Sequence, residues 1–426
     1  MRRIIDSLSR RRDRVVAMVD QAMVGLSNFI AMAAFARLLP REDFAAIGVA
    51  IAIHYVLFGF HRAAIVMPYI LSAKDRPEPL PRSAWAYLAM RTSLLVGLML
   101  FLAALGLGLL GVSAFATKCA LFAALQSPPL LLQEFGKRWL YQHGRPGGVL
   151  VSSAAAFALV MVGIAAMAFM LPPTPMLAPA LLGLAALTAA LIAFLTCRPS
   201  RDGLGVRAAE LIGRRREFTL WQSVAHIPYI LYNNGYTLLL AIFTGPVGAA
   251  GYTALRTLLS PSVSLISAVD STDKLRAIAA FHDQGPAGAK RSADRTRRVL
   301  LSLNGPFLLA AAILAGPYQH LVLGAAYHHP VEMAVLAAYC LLLSVNQPFE
   351  TFLVVQEQAR TLLFSRCLSA TIAVGGLALL GPSLGLLGAA IALLAAQLCN
   401  LVALWWLSRR QLRLHPAPAP DLALTA

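Results

Sequence analysis

A chain of 426 residues with 58% hydrophobic and only 13% charged residues lies outside the composition of soluble domains, where about 25% are charged. Its net charge of +17 would suit a nucleic-acid partner. No recognition fold or aromatic-interleaved basic groove accompanies that charge, so nucleic acid is excluded as a partner.

In chain order, the basic stretch 1–14 leads into a first apolar block, Val15–Leu39. This block is longer than a signal-peptide core and carries Asp20, so it reads as an uncleaved first span. Ala45–Tyr69, Ala84–Leu110, Ala116–Phe135, Val149–Leu171 and Met176–Leu195 follow. After a polar stretch come Thr219–Phe243, Ala249–Val269, Val299–Leu323, Val331–Val355, Thr361–Leu380 and Gly385–Leu407. A bilayer core of roughly 30 Å needs about 20 apolar residues in a helix, and about twelve blocks reach that length. The chain therefore predicts an all-α integral membrane protein of about twelve transmembrane helices.

Charge placement orients these spans. Arg41 is the only Lys or Arg in the short connections after the odd-numbered blocks, whereas Arg10-Arg11-Arg12, Arg214-Arg215-Arg216 and Arg297-Arg298 lie on the other side. Basic residues are retained in the cytoplasm, which places both termini there in a multi-pass protein of the cell inner membrane. The predicted organisation is a basic N-terminus (1–14), an N-lobe (15–195), a cytoplasmic linker (196–218), a C-lobe (219–407) and a cytoplasmic tail (408–426). Both six-helix lobes enter from the cytoplasm, so they run parallel. Phe-Ala-Ala-Ile-Gly at 44–48 and Val-Gly-Ala-Ala-Gly at 247–251 are a faint trace of a repeat, with small residues that allow close helix approach. Residues 206–217 suit a surface helix on the inner leaflet, residues 270–298 a long cytoplasmic loop, and the tail after Arg413 disorder.

Ionisable groups inside spans are costly and mark candidate sites. Asp20 lies roughly 8 Å from the cytoplasmic end of its span, and Arg62 and Arg91 about 10 Å deep from the same side. Glu350 joins that inner layer, while Arg256 lies toward the outer end of the eighth block. Asn28, His54, Asn233 and Asn234 fall near mid-membrane, and Arg37 at the outer interface reads as an anchor. Pro128-Pro129, Pro228, Pro261, Pro306 and Pro348 predict bends within spans. The cysteines Cys119, Cys197, Cys340, Cys367 and Cys399 have no metal-ligand or redox spacing and read as apolar fillers. There is no G-x-x-x-x-G-K-S/T phosphate loop and no H-E-x-x-H pattern, so neither ATP hydrolysis, a cofactor, a metal nor an enzyme is expected.

The stretch VDQAMVGLSNFIAMAAFARLLPREDFAAIG (19–48) resembles the N-terminus of bacterial polysaccharide flippases. It carries Asp20-Gln21 early in the helix, Ser27-Asn28 at its middle and Ala-Arg-Leu-Leu-Pro at 36–40, then an acidic pair and a Phe-x-x-x-Gly turn. These proteins are similar to O-antigen (Wzx-type) exporters of the multidrug/oligosaccharidyl-lipid/polysaccharide (MOP) superfamily. Leu39 stands where that family usually has Gly. The resemblance implies two six-helix lobes in a MATE-like arrangement around a central cavity lined by spans 1, 2, 7 and 8. It also implies transport of undecaprenyl-diphosphate-linked oligosaccharide from the cytoplasmic to the periplasmic leaflet, with a polymerase and a chain-length regulator as partners besides membrane lipids. On that template Arg62, Arg256 and Arg91 become substrate-binding cations, because Arg makes bidentate contacts with phosphate. Asn28, Asn233 and Asn234 become hydrogen-bonding groups for sugar hydroxyls. Asp20 pairs with Arg62 or Arg91 or carries a coupling proton, and Glu350 is a second coupling or charge-pair residue. The competing readings are a drug or cation antiporter of the same superfamily and a membrane-embedded polymerase or acyltransferase.

Overall fold

The computed structural model of the chain describes residues 2–72, 81–170, 174–213, 216–233, 235–356 and 358–414. The tail read above as disordered lies outside them from residue 415 onward, as does Asn234. The described residues are helical nearly throughout, with no strand among them. Among the described residues, eight helices are long and apolar enough to cross a membrane, or up to nine if a pair bent by 88° is taken as one span. One of the eight, Arg360–Gln411, contains two of the apolar blocks.

Two compact units divide the chain: Met1–Leu258 with His320–Tyr327, and Leu259–Gln319 with His328–Ala426. In the first, α1 (Arg2–Leu38) packs on α6 (Pro146–Phe169). There α5 (Ala114–Gln142) packs between α2 (Arg41–His61), α4 (Ser83–Leu109) and α7 (Leu177–Thr196). Helix α2 runs through a π-helical turn, Arg62–Val66, into α3 (Met67–Ser72). On another side α2 meets α9 (Arg216–Tyr232) and α10 (Tyr236–Phe243). Its Gly48 is required by the approach of α11, since a Cβ there would lie 2.2 Å from Thr253 Oγ1.

Helix α5 is longer than the fourth apolar block. Lys137 and Arg138 end the apolar run in the sequence, yet the helix continues past them to Gln142. Tyr69, Trp85, Phe135, Trp139 and Leu211 form one buried cluster at this end, and Trp139 Nε1 donates to the Cys197 carbonyl at 2.7 Å. Leu211 corrects the reading of 206–217 as a surface helix. Only Ala208–Gly213 (α8) is helical before residues 214 and 215, which are not described, and its Leu211 is buried among these aromatics rather than laid on lipid.

In the second unit, two glycines with positive φ fold long helices back on themselves. Helix α11 (Gly245–Ile313) breaks at Gly285 (φ 61°), and Thr296 Oγ1 then donates to Asp273 Oδ2 at 2.6 Å across its two arms. The stretch read as a cytoplasmic loop, 270–298, is thus helical. Helix α14 (Ala359–Leu414) breaks at Gly385 (φ 56°). Such backbone conformations cost little only for glycine. Between α13 (Pro330–Val355) and α14, Asn346 Nδ2 donates to Gln397 Oε1 at 2.7 Å, while Asn304 Nδ2 donates to Ser344 Oγ at 3.0 Å. α12 (Ala315–Leu323) joins α11 to the segment before α13.

Candidate functional site

Arg62 opens the π-helical turn. Pro68 explains the turn, since it has no N–H for the Ala64 carbonyl and its ring crowds that group. The wider turn relieves the clash, and Met67 N–H bonds to Arg62 O, five residues back. π-Turns of this kind recur at functional positions. The Arg62 side chain is exposed, and no hydrogen bond or ion pair engages its guanidinium among the described residues.

Arg256 on α11 is engaged. Its Nη1 donates to the Asn233 carbonyl at 2.9 Å and its Nη2 to Asn233 Oδ1 at 3.2 Å. Asn233 sits at the break between α9 and α10, where the helical ladder stops and carbonyls lose their i+4 donors. The structure therefore brings two of the sequence candidates together as a clamp on a broken helix. Helix α9, which leads to this break, also packs against the π turn, so the elements carrying Arg62, Asn233 and Arg256 are neighbours within the first unit.

Arg91 is exposed on α4 and donates through Nη2 to the Leu204 carbonyl at 3.2 Å, which ties it to the linker. Asn28 is exposed on α1. The carboxylates are sealed by cations. Asp20, 2% exposed, accepts from Lys137 Nζ at 2.8 Å and from Ser153 Oγ, joining α1 to α5 and α6. The sequence reading paired Asp20 with Arg62 or Arg91; Lys137 holds that place instead, because the extra turns of α5 carry its amine inward to 8% exposure. Glu350 on α13 pairs with Arg366 of α14 at 3.0 Å in the second unit.

Lys137, Ser153 and Arg366 were not among the sequence candidates. A signal for Lys137 existed: a carboxylate within a span needs a cation, and Lys137 is the first basic residue after the fourth block. Arg366 lay inside the eleventh block. Pro68, which sets the π turn, lay inside the second.

No family model matches this chain, and no curated protein sequence matches it. Solved structures match it in fold. An inward-facing multidrug resistance MATE family transporter of the MOP superfamily aligns with a TM-score of 0.73 at 13% identity, over 94% of this chain and 98% of that one. Lipid II flippase MurJ, in an inward closed conformation, aligns at 0.66 with 11% identity over 95% and 87%. A MOP superfamily transporter from Pyrococcus furiosus, described as having a binding pocket of reversed polarity, aligns at 0.59 with 16% identity over 95% of each chain. The chain is a multi-span all-α membrane protein with the MATE-like fold. At these identities the likeness carries the fold alone.

Proposed function

We propose that the protein is a flippase that moves undecaprenyl-diphosphate-linked oligosaccharide from the cytoplasmic to the periplasmic leaflet during exopolysaccharide, capsule or O-antigen synthesis, without hydrolysing ATP. The observation that carries this reading is the state of the intramembrane charges. Asp20 and Glu350 are each closed by a cation, whereas Arg62 is exposed and unengaged among the described residues. An unengaged guanidinium inside an apolar helix favours an anionic cargo, and its planar fork matches phosphate oxygens. A drug or cation antiporter needs the opposite, an accessible carboxylate.

In this reading Arg62 binds the diphosphate first. Arg256 exchanges its hold on Asn233 for the same group nearer the periplasm, and Arg91 attracts it at the cytoplasmic mouth. Asn28, Asn233 and Asn234 serve the sugar hydroxyls. The residue ranges 15–195 and 219–407 act as the two lobes of an alternating-access cycle. Both termini lie in the cytoplasm at the inner membrane, and a polymerase and chain-length regulator consume the product.

The test is reconstitution of the purified protein in liposomes with a fluorescent lipid-diphosphate oligosaccharide. The expected result is ATP-independent loss of inner-leaflet label, with the recovered lipid unchanged in mass. Elongated, cleaved or acylated lipid would show an enzyme instead. Export of a cationic drug with no movement of the lipid would select the antiporter.

A further inference from the structure

The C-terminal turn of α12 leaves carbonyls without helical donors. Gly324 N–H serves His320 O at 3.0 Å. The Leu321 carbonyl accepts instead from Arg37 Nη2 at the end of α1, and the Ala326 carbonyl accepts from Arg41 Nη2 at the start of α2. A cation at a helix C-terminus also complements its dipole. The Arg41 guanidinium stands 5.7 Å above the Tyr327 ring, and Phe44 meets that ring edge-on at 5.7 Å. Phe44 and Tyr327 are buried. Burial pushes the Tyr327 phenol up to about 12, against the pull of Arg41, so the ring faces Arg41 as a neutral π system.

The base of this arm is cinched separately. Gln319 Oε1 accepts from His329 N–H at 2.6 Å, and Gln319 Nε2 donates to the His329 carbonyl at 3.0 Å. Residues 320–327 belong to the first compact unit, as do α1 and α2. Leu321 and Ala326 are thus gripped by the turn between α1 and α2 within one unit.

We propose that residues 320–327 form a latch, held closed at the outer ends of α1 and α2 by Arg37, Arg41 and Phe44, which releases and re-forms during each transport cycle. The outer placement and the cycle rest on the flippase reading; the grip does not. The chemistry suits repeated release. Both arginines are exposed and bond to neutral carbonyls, so letting go returns them to water and headgroups without stranding a buried charge. Arg37 is therefore more than the interface anchor its sequence position suggested.

Hydrogen-exchange mass spectrometry on the full chain in lipid nanodiscs tests the grip. In the double variant Arg37→Ala/Arg41→Ala, amides of 320–327 should exchange about tenfold faster, as expected for lost charge-assisted bonds, while peptides within 386–404 keep their rates. Arg41→Lys should fall between, since it keeps the charge and one donor. Phe44→Leu supplies an independent arm, with the same local acceleration, should the double variant unfold. Unchanged exchange at 320–327 in both the double variant and Phe44→Leu would overturn the latch. Faster local exchange with an unaltered transport rate would overturn its part in the cycle. Failure of the unmutated protein to move a lipid diphosphate would count against the substrate reading alone, and the exchange data would still decide the grip.

Discussion

Asp20 and Arg62 both place a charge within an apolar helix of the first unit, yet their surroundings are opposite. Asp20 is enclosed, with Lys137 and Ser153 on its carboxylate. Arg62 projects from a widened helical turn, exposed and without a partner among the described residues. A sealed charge joins helices, because removing one partner strands the other in a medium that solvates it poorly. An unengaged charge adds nothing to the fold that repays its cost, which makes it the better candidate for a ligand. Depth in the sequence treats the two alike; the distinction is made by neighbours.

The largest expected effect tests the sealed side. Lys137→Met should lower stability by about 3–5 kcal/mol, because it leaves a buried carboxylate uncompensated. Adding Asp20→Asn should restore most of the loss. Thermal unfolding in nanodiscs reads both, and additive losses in the double variant would show that the pair is not one unit. Next comes the unengaged side. Arg62→Ala should cut transport of the lipid diphosphate by about tenfold to a hundredfold with an unchanged melting temperature, and Arg62→Lys should recover part of it. A melting shift as large as that of Lys137→Met would erase the contrast.

Arg256 stands between the two cases. Arg256→Ala should lower both stability, by about 1.5–3 kcal/mol, and transport, since the clamp on Asn233 and the proposed phosphate contact are lost together. The smallest effect is expected from Arg91→Ala. Its bond to Leu204 is exposed, so a stability loss of about 1 kcal/mol or less is expected, with a modest slowing of transport from the lost attraction at the cytoplasmic mouth. Strong loss of transport in this variant alone would move the binding site to the cytoplasmic mouth.

The helical architecture was legible because lipid permits few alternatives, so long apolar blocks such as Ala84–Leu110 and Val149–Leu171 coincide closely with α4 and α6. Hydropathy misled where a helix outlasts its apolar run. It ended the fourth block at Phe135 and thereby missed Lys137, and it gave no sign that the connection 270–298 is helical. Asn233 and Arg256 were legible singly as polar residues in apolar runs, but their pairing depends on the break between α9 and α10, which the Asn-Gly pair at 234–235 marks and the apolar run around it masked. The latch was illegible for a related reason. Arg37 and Arg41 bond to backbone carbonyls about 285 residues away, and a carbonyl has no side-chain signature in the sequence.

The bond between Asp20 and Lys137 also has a history within each molecule. The two residues are separated by 117 positions, and Ser153 follows Asp20 by 133. At about 5–20 residues per second of synthesis, Asp20 leaves the ribosome roughly 6 to 23 s before its partner. During that interval α1 has neither α5 nor α6 beside it, so the Asp20 carboxylate has neither of the partners that enclose it in the finished fold. Lys137 and Ser153 then supply the contacts that join α1 to α5 and α6, so the first helix can be fixed in place only after 117 further residues have been made.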